Sequence, residues 1–123
     1  MAKTIMVIDD SASIRQVVTI VLRNGGYDVI EACDGRDALE KLFGKRVNLV
    51  LCDVNMPNMD GISFVRELKA SATHRLTPVV MLTTESSDTK KAEGKLAGAK
   101  AWMVKPFKPE QMLDAVSKLC LSN

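Results

Sequence analysis

The sequence contains few of the residue types from which many functional sites are built. Its 123 residues include one Trp, one Tyr, three Phe, one His and three Cys. The cysteines, Cys33, Cys52 and Cys120, are odd in number and lack the spacing of metal ligands, which argues against a structural metal site. Cys52 and Cys120 fall on apolar faces, so we expect both to be buried as small hydrophobic side chains.

Long apolar runs and strong charge are also missing. No stretch approaches the ~20 apolar residues of a membrane span, and the start, Met1–Ile5, lacks the apolar core of a signal peptide. We therefore expect a cytoplasmic protein that does not bind membranes. The net charge of +2, without a dense basic run or interleaved aromatics, argues against nucleic acid. The length and a hydrophobic content of 46% predict one globular domain over residues 1–123.

The sequence does contain short apolar runs that alternate with helical patterns. Four of the runs are rich in Val, Ile and Leu without alternation, which is typical of strands buried on both faces. The other run carries Asp28 and Glu31, which favours an edge strand. The predicted strands are residues 4–8, 27–32, 47–52, 78–82 and 101–104.

Helix-start signals follow four of the five predicted strands. Ser11 and Pro109 suit the first turns of the first and fifth helices, and Asp–Gly pairs open the second and third. The fourth helix, from about Ser87 to Ala97, is unusual because Gly94 in its interior costs about 1 kcal/mol relative to Ala. The first helix has apolar residues at Ile14, Val17, Val18, Val21 and Leu22.

This alternation predicts an α/β protein with a flavodoxin-like (βα)5 fold, in which helices cover both faces of a doubly wound, parallel five-stranded sheet. The polar second strand belongs at an edge, and the first and third strands, which end in acids, should be neighbours. The strand order 2-1-3-4-5 satisfies both conditions.

Five polar residues come at or directly after the ends of these strands, where open α/β sheets place their ligand sites. They are Asp9, Asp10, Asp53, Thr83 and Lys105. Two carboxylates ~4 Å apart repel by about 4 kcal/mol at an effective dielectric of about 20, so the acids need a cation, and Mg²⁺ suits oxygen ligands. A carboxylate beside Mg²⁺, a lysine and a hydroxyl favours phosphoryl transfer onto the carboxylate. Helix or turn capping explains a single acid but not the whole set.

These residues and their neighbours resemble the receiver domain of bacterial two-component response regulators. The resemblance covers essentially the whole chain. The motifs that carry it are Asp9-Asp10, Met59-Asp60-Gly61, Ala97-Gly98-Ala99, Asp53-Val54-Asn55-Met56-Pro57, Leu82-Thr83-Thr84-Glu85 and Lys105-Pro106-Phe107. The single-domain length and the last three of these motifs make the chain most similar to the CheY-like chemotaxis regulators.

The resemblance implies a phosphoacceptor and a magnesium site. Asp53 would accept the phosphoryl group from a phosphohistidine on a histidine kinase. Asp10 would bind Mg²⁺ directly and Asp9 mainly through water, with Asp53 and the backbone carbonyl of Asn55 completing the site. Lys105 would bind one phosphoryl oxygen. The protein would thus be a phosphoacceptor with its own phosphorylation and dephosphorylation chemistry, not an enzyme acting on a separate substrate.

The resemblance also implies a switch. Thr83 would turn inward to bind the phosphoryl group, and Trp102 would follow, although an indole is bulkier than the usual Tyr or Phe and should rotate less completely. Lys91 and Lys108 would border the partner surface. The fourth helix is the expected mobile element, and the Lys105–Pro106 bond is often cis in this family.

Three residues beside the site are expected to modulate the lifetime of the phosphorylated state, namely Asn55, Thr84 and Glu85. Thr84 replaces the usual Ala or Gly, and we hypothesise that its side chain slows hydrolysis by crowding access. For Asn55 and Glu85 a solvated loop position is the alternative. The only histidine, His74, lies in a polar connection and is not expected to carry a phosphoryl group.

The expected partners are a histidine kinase, the flagellar motor switch or another phosphorylation-dependent partner, and a phosphatase. A phosphorelay shuttle or a phosphate sink for a chemotaxis-type kinase would need the same site residues. A haloacid-dehalogenase-like phosphatase would require an acid at Asn55. A flavin carrier would require a neutral phosphate loop after the first strand, where Asp9 and Asp10 stand.

Overall fold

The structure is a computed structural model that describes residues 2–83, 88–105 and 107–120, without the side chains of residues 88–91. Strands and helices alternate along this part of the chain. The strands are β1 (Thr4–Ile8), β2 (Asp28–Ala32), β3 (Leu49–Asp53), β4 (Val79–Thr83) and β5 (Ala101–Val104). The helices are α1 (Ala12–Asn24), α2 (Gly35–Leu42), α3 (Gly61–Ala70), α4 (Asp88–Ala97) and α5 (Pro109–Leu119).

All five strands lie parallel in one sheet with the order β2-β1-β3-β4-β5, which confirms the predicted fold class and strand order. Every residue of β3 and β4 is buried, as expected for the middle of a sheet that is covered on both faces. The register pairs Ile8 with Cys52, Asp53 with Leu82, and Thr83 with Val104. The strand ends that carry the predicted site therefore meet at one edge.

Two apolar clusters cover the two faces of the sheet. Successive side chains of β1 point to opposite faces. Met6 and Ile8 therefore belong to one cluster, and Ile5 and Val7 belong to the other. The first cluster contains the inward residues of α2 and α3, with Phe64 fully buried. The second contains those of α1 and α5. Among the described helices, none is long and apolar enough to cross a membrane.

Several apolar side chains lie outside the core, against the simplest interpretation of the sequence. In α1 the Val18 and Leu22 side chains are buried, but Ile14 and Val17 are 36% and 61% exposed. The helix turns only one stripe toward the sheet, whereas its apolar residues extend round more than that stripe. Phe43 is 88% exposed because α2 ends at Leu42. Cys52 is buried as predicted, but Cys120 is only partly buried, at the end of α5.

The connection that contains His74 is more ordered than its polar sequence predicts. His74 is buried, and its ring Nε2 lies 2.9 Å from the Lys45 carbonyl oxygen. This contact joins the segment before β4 to the segment before β3. Since both segments precede strands, His74 lies at the sheet edge opposite the predicted site.

The glycine in the middle of α4 has a packing reason. A Cβ atom built on Gly94 would lie only 2.6 Å from Cζ3 of Trp102 on β5. The indole therefore packs directly on the helix backbone at the position where other residues carry a side chain. The bulky aromatic on β5 and the glycine in α4 form a pair of complementary size.

Candidate functional site

Among the described acids at the carboxyl edge of the sheet, Asp9 is the most buried. Its backbone N–H donates to the Ala32 carbonyl (3.1 Å), which extends the pairing of β1 with β2 past the last strand residue. Its Oδ1 accepts a hydrogen bond from the backbone N–H of Ser11 (2.9 Å), and Ser11 also caps α1. The turn between β1 and α1 therefore fixes the carboxylate, and the Asp9 side chain is only 2% exposed.

Lys105 connects two of the acids. Its Nζ donates to Asp9 Oδ2 at 2.8 Å and lies 3.6 Å from Asp53 Oδ1. The Lys105 side chain is only 11% exposed. Its backbone N–H donates to the Thr83 carbonyl (2.7 Å), so the pairing of β4 with β5 sets the direction of the side chain. The closer partner is Asp9, although the sequence suggested a lysine that serves the phosphoryl group on Asp53.

Asp53 is held at the end of β3 in a poorly solvated position. Its Oδ1 accepts a hydrogen bond from the backbone N–H of Val54 (2.9 Å). Burial raises the pKa of Asp53 to about 6, with the nearby Asp9 and Asp10 carboxylates acting in the same direction and Lys105 against it. The ionised form is therefore less stable than that of a solvated aspartate, and a nearby cation would stabilise it.

A divalent cation fits this acidic cluster. Asp9, Asp10 and Asp53 each offer a carboxylate oxygen, and the three oxygens lie within 4.8 Å of one another. Asp10 is exposed, whereas Asp9 and Asp53 are buried, so the cluster is open to solvent on one side. All the donors are hard oxygens and Lys105 supplies a single positive charge. This donor set suits Mg²⁺, which keeps several water ligands while binding few carboxylates.

Thr83 and the loop after β3 complete the edge. Thr83, the last residue of β4, is 1% exposed. The β3–α3 loop, residues 54–60, carries Asn55, which is exposed. The loop closes on itself at Gly61, whose N–H donates to the Val54 carbonyl (2.8 Å). A Cβ on Gly61 would collide with the Asp53 carbonyl. Glycine at this position lets α3 start directly against the end of β3.

The predicted switch surface is described only in part. Trp102 is partly buried against Gly94, and its indole Nε1 is buried without a hydrogen-bond partner among the described residues. Lys108 is exposed and precedes α5 without capping it through its side chain. Thr84, Glu85, the Lys91 side chain and the Lys105–Pro106 bond lie outside the described residues.

One contact at the site was missed by the sequence interpretation. The Arg15 guanidinium donates to the Asp9 carbonyl through Nη1 (2.7 Å) and also pairs with Glu31 at 3.3 Å. Arg15 thus ties α1 to the ends of β1 and β2. A lone arginine in the first turns of a helix gives no signal in the sequence, because the contact depends on how α1 crosses the sheet.

The comparisons with known proteins agree with this geometry. The sequence profile of the response regulator receiver domain matches residues 5–117. Protein PilG of Pseudomonas aeruginosa is 38% identical over 91% of this chain and 83% of its own length. This chain spans about half the length of several other curated relatives that it matches.

Solved structures show the same fold. Chemotaxis protein CheY4 of Vibrio cholerae superposes with a TM-score of 0.93 at 44% identity, covering 97% of this chain and 99% of that chain. The receiver domain of the sensor histidine kinase PA1611 of Pseudomonas aeruginosa has a magnesium ion in its active-site cleft. It gives a TM-score of 0.90 at 26% identity, with 97% and 98% covered. With its strand order and its acidic edge, the chain belongs to the response regulator receiver domain family of two-component systems.

Proposed function

We propose that this protein is a Mg²⁺-dependent phospho-aspartate switch in chemotaxis-type signalling, with Asp53 as the phosphoacceptor. The observation that carries the proposal is the placement of Lys105 between the Asp9 and Asp53 carboxylates, within a cluster of three acids. Family membership supports a histidine kinase as the phosphodonor. The magnesium ion in the PA1611 receiver domain supports Mg²⁺ as the cofactor.

The proposed chemistry is an in-line transfer. One Asp53 carboxylate oxygen would form a bond to the phosphorus of a phosphohistidine while the P–N bond breaks. The electron pair of that bond would stay on the imidazole nitrogen, and a proton from water would restore the neutral histidine side chain of the kinase. Mg²⁺ bound by Asp9, Asp10, Asp53 and the Asn55 carbonyl would neutralise charge on the transferred group. Lys105 Nζ lies 3.6 Å from Asp53 Oδ1, so it is close to where the transferred phosphoryl group would be. In dephosphorylation, water would attack the phosphorus and the P–O bond to Asp53 would break. This would release inorganic phosphate and a proton and restore the Asp53 carboxylate.

The proposed output is binding to a partner. Phosphorylation adds about −1.5 to −2 charges at one point, and the state in which Thr83 and Lys105 bind that charge gains population. The adjoining surface of β5, which carries Trp102, would then present a different shape. The 44% identity to chemotaxis protein CheY4 supports a role in chemotaxis. For that role we propose the flagellar motor switch as the partner. The free cysteines fit a reducing compartment, so we place the protein in the cytoplasm.

The proposal is tested by the intrinsic fluorescence of Trp102, the only tryptophan. We would titrate the protein with MgCl₂, then add beryllofluoride or acetyl phosphate, and compare wild type with Asp53→Asn. We expect a Mg²⁺-dependent change with both reagents that the substitution abolishes. If the wild type gave no response and mass spectrometry detected no phosphoryl adduct, the switch function would be refuted.

A second experiment separates the motor switch from the other outputs. Binding of a peptide from a flagellar motor switch protein would be measured with and without beryllofluoride. Tighter binding in the activated state supports the motor output. An active phosphoacceptor with no change in binding would instead support the phosphorelay shuttle or the phosphate sink.

A further inference from the structure

The β3–α3 loop is fastened to an element that contributes no residue to the acidic cluster. Asp34 precedes α2, and the residue is buried, with 7% of its surface exposed. Its Oδ1 accepts the backbone N–H of Asp37 (2.9 Å), which caps the helix. Its Oδ2 accepts the side-chain amide N–H of Asn58 in the loop (2.8 Å). One carboxylate therefore both starts α2 and holds the loop.

The backbone of Asn58 is adapted to this contact. Its φ of 66° lies in the left-handed region, and it is the single non-glycine residue with a positive φ among those described. Asn tolerates this conformation better than most residues, and its short amide can reach a nearby acceptor. The left-handed conformation thus turns the loop at Asn58 and directs its amide to Asp34.

A second contact lies next to the first. A Cβ on Gly35 would come within 2.8 Å of the Met59 Cγ, so the Met59 side chain packs on the first turn of α2. The same loop is closed at its base by the Gly61 N–H and the Val54 carbonyl. The loop is thus fixed at its base by β3 and at its tip by α2, with Asn55 between the two attachments.

We propose that Asp34 and Asn58 are positioning residues for the metal and phosphoacceptor site, which they serve by fixing the loop that carries Asn55. The inference rests on the proposed function, because it assigns Asp34 and Asn58 to the same site. A carbonyl oxygen binds Mg²⁺ well only at the distance and direction of an octahedral ligand, and small displacements are poorly tolerated. Outer residues that fix metal ligands affect affinity by about 10- to 100-fold.

The test uses substitutions that remove the contact and keep its surroundings. Asn58→Gly removes the amide but preserves a residue suited to positive φ. Asp34→Ser removes the acceptor for Asn58 and keeps a good N-cap for α2. Asp37→Asn is the matched control, since Asp37 lies on the same helical turn but its carboxylate pairs with Lys41 (3.1 Å) and the Cys33 N–H (3.0 Å) instead.

Mg²⁺ affinity would be measured calorimetrically with MgCl₂ on the full chain, and amide exchange of residues 54–60 would be followed without metal. We expect Asn58→Gly and Asp34→Ser each to weaken Mg²⁺ binding by about tenfold and to speed exchange in the loop. The double variant should be no weaker than either single variant, because both remove the same bond. Asp37→Asn should bind Mg²⁺ like the wild type.

The outcomes separate this inference from the function on which it rests. If the wild type binds Mg²⁺ but both variants stay within about twofold of it, the positioning role is refuted and the switch function stands. Additive losses in the double variant would also refute it, because the two side chains would then act independently. A wild type that does not bind Mg²⁺ refutes the proposed function and this inference together.

Discussion

Replacing Gly94 with alanine sets two known effects against each other. On helix propensity alone, Gly94→Ala in α4 should stabilise the protein by about 1 kcal/mol. In the structure, however, the new methyl group would lie 2.6 Å from Trp102 Cζ3. Carbon atoms pack at about 3.5–4.0 Å, so either the indole or the helix must move by roughly 1 Å.

Overpacking of this kind costs about 1–3 kcal/mol in a closed core. Trp102 is only partly buried and lies on the edge strand β5, so the ring can move outward instead of straining its neighbours. Outward movement also lets the buried Nε1, which has no hydrogen-bond partner in the described part of the chain, reach water. We therefore expect the propensity gain and the packing loss to cancel to within about 1 kcal/mol, while the environment of Trp102 changes strongly.

Two measurements on one sample check this reasoning. Urea unfolding gives the free energy of unfolding, and the Trp102 emission maximum with iodide quenching reports exposure of the ring. We expect a red shift and faster quenching in Gly94→Ala. The control is Leu96→Ala, on the same helix but with a side chain that is 87% exposed, which should leave emission unchanged. Unaltered emission in Gly94→Ala would refute the packing argument.

Substitutions at three further positions test other features of the fold. Thr19→Val should stabilise the protein by about 1 kcal/mol in urea unfolding, because the Thr19 hydroxyl is buried without a partner in the described part of the chain; a loss of stability would contradict this. Asp60→Ala should cost about 1 kcal/mol by the same assay, because Asp60 Oδ1 caps α3 through the Ser63 N–H, and Asp60→Asn should restore most of it. The Asp37 N–H and, second, the Asn58 amide lower the pKa of Asp34. The stabilisation from Asp34 is therefore complete above the unfolded pKa of about 3.9 and is lost as the pH falls through the lower folded pKa. The unfolding free energies of wild type and Asp34→Ser should therefore converge as the pH is lowered below about 4. A difference that does not change with pH would contradict the assignment.

Much of the fold could be predicted because its signals are local. Non-alternating apolar runs identified the buried strands, and the first and fifth predicted strands have the same bounds in the structure. The polar residues Asp28 and Glu31 placed β2 at an edge, which left the order with β1 beside β3 as the simplest one. The gathering of Asp9, Asp10 and Asp53 follows from the parallel arrangement, because strands in parallel end on the same side.

The features that escaped prediction depend on contacts between distant segments. The Asn58 amide reaches a carboxylate 24 residues away, at Asp34, and the His74 ring contacts a carbonyl 29 residues away, at Lys45. Sequence periodicity carries no information on either pair. Gly94 shows the same limit, because its cost to the helix is visible in the sequence while the indole that requires it lies on another strand.

The positive charge of Lys105 should weaken Mg²⁺ binding and strengthen binding of the phosphoryl group. Removing this charge should therefore change the two affinities in opposite directions. The Lys105 Nζ lies 2.8 Å from Asp9 Oδ2 and 3.6 Å from Asp53 Oδ1, so a cation bound by these acids would be close to it. Two unit charges ~4 Å apart interact by about 1 kcal/mol even at the dielectric constant of water, and the interaction with a divalent ion is about twice that. Lys105→Met should therefore raise Mg²⁺ affinity by at least about tenfold, measured calorimetrically.

The same substitution should weaken the fluorescence response of Trp102 to beryllofluoride, because the phosphoryl mimic loses its positive partner. Lys108→Met removes an exposed lysine and should change neither quantity, and Lys105→Arg, which keeps the charge, should leave Mg²⁺ affinity near that of the wild type. If Lys105→Met bound Mg²⁺ more weakly, the ammonium group would be organising the acids for the metal instead of competing with it. The two results are informative only together. If Lys105 exchanges a carboxylate partner for a phosphoryl partner, its removal should strengthen Mg²⁺ binding in the unphosphorylated state and weaken the response to the phosphoryl mimic.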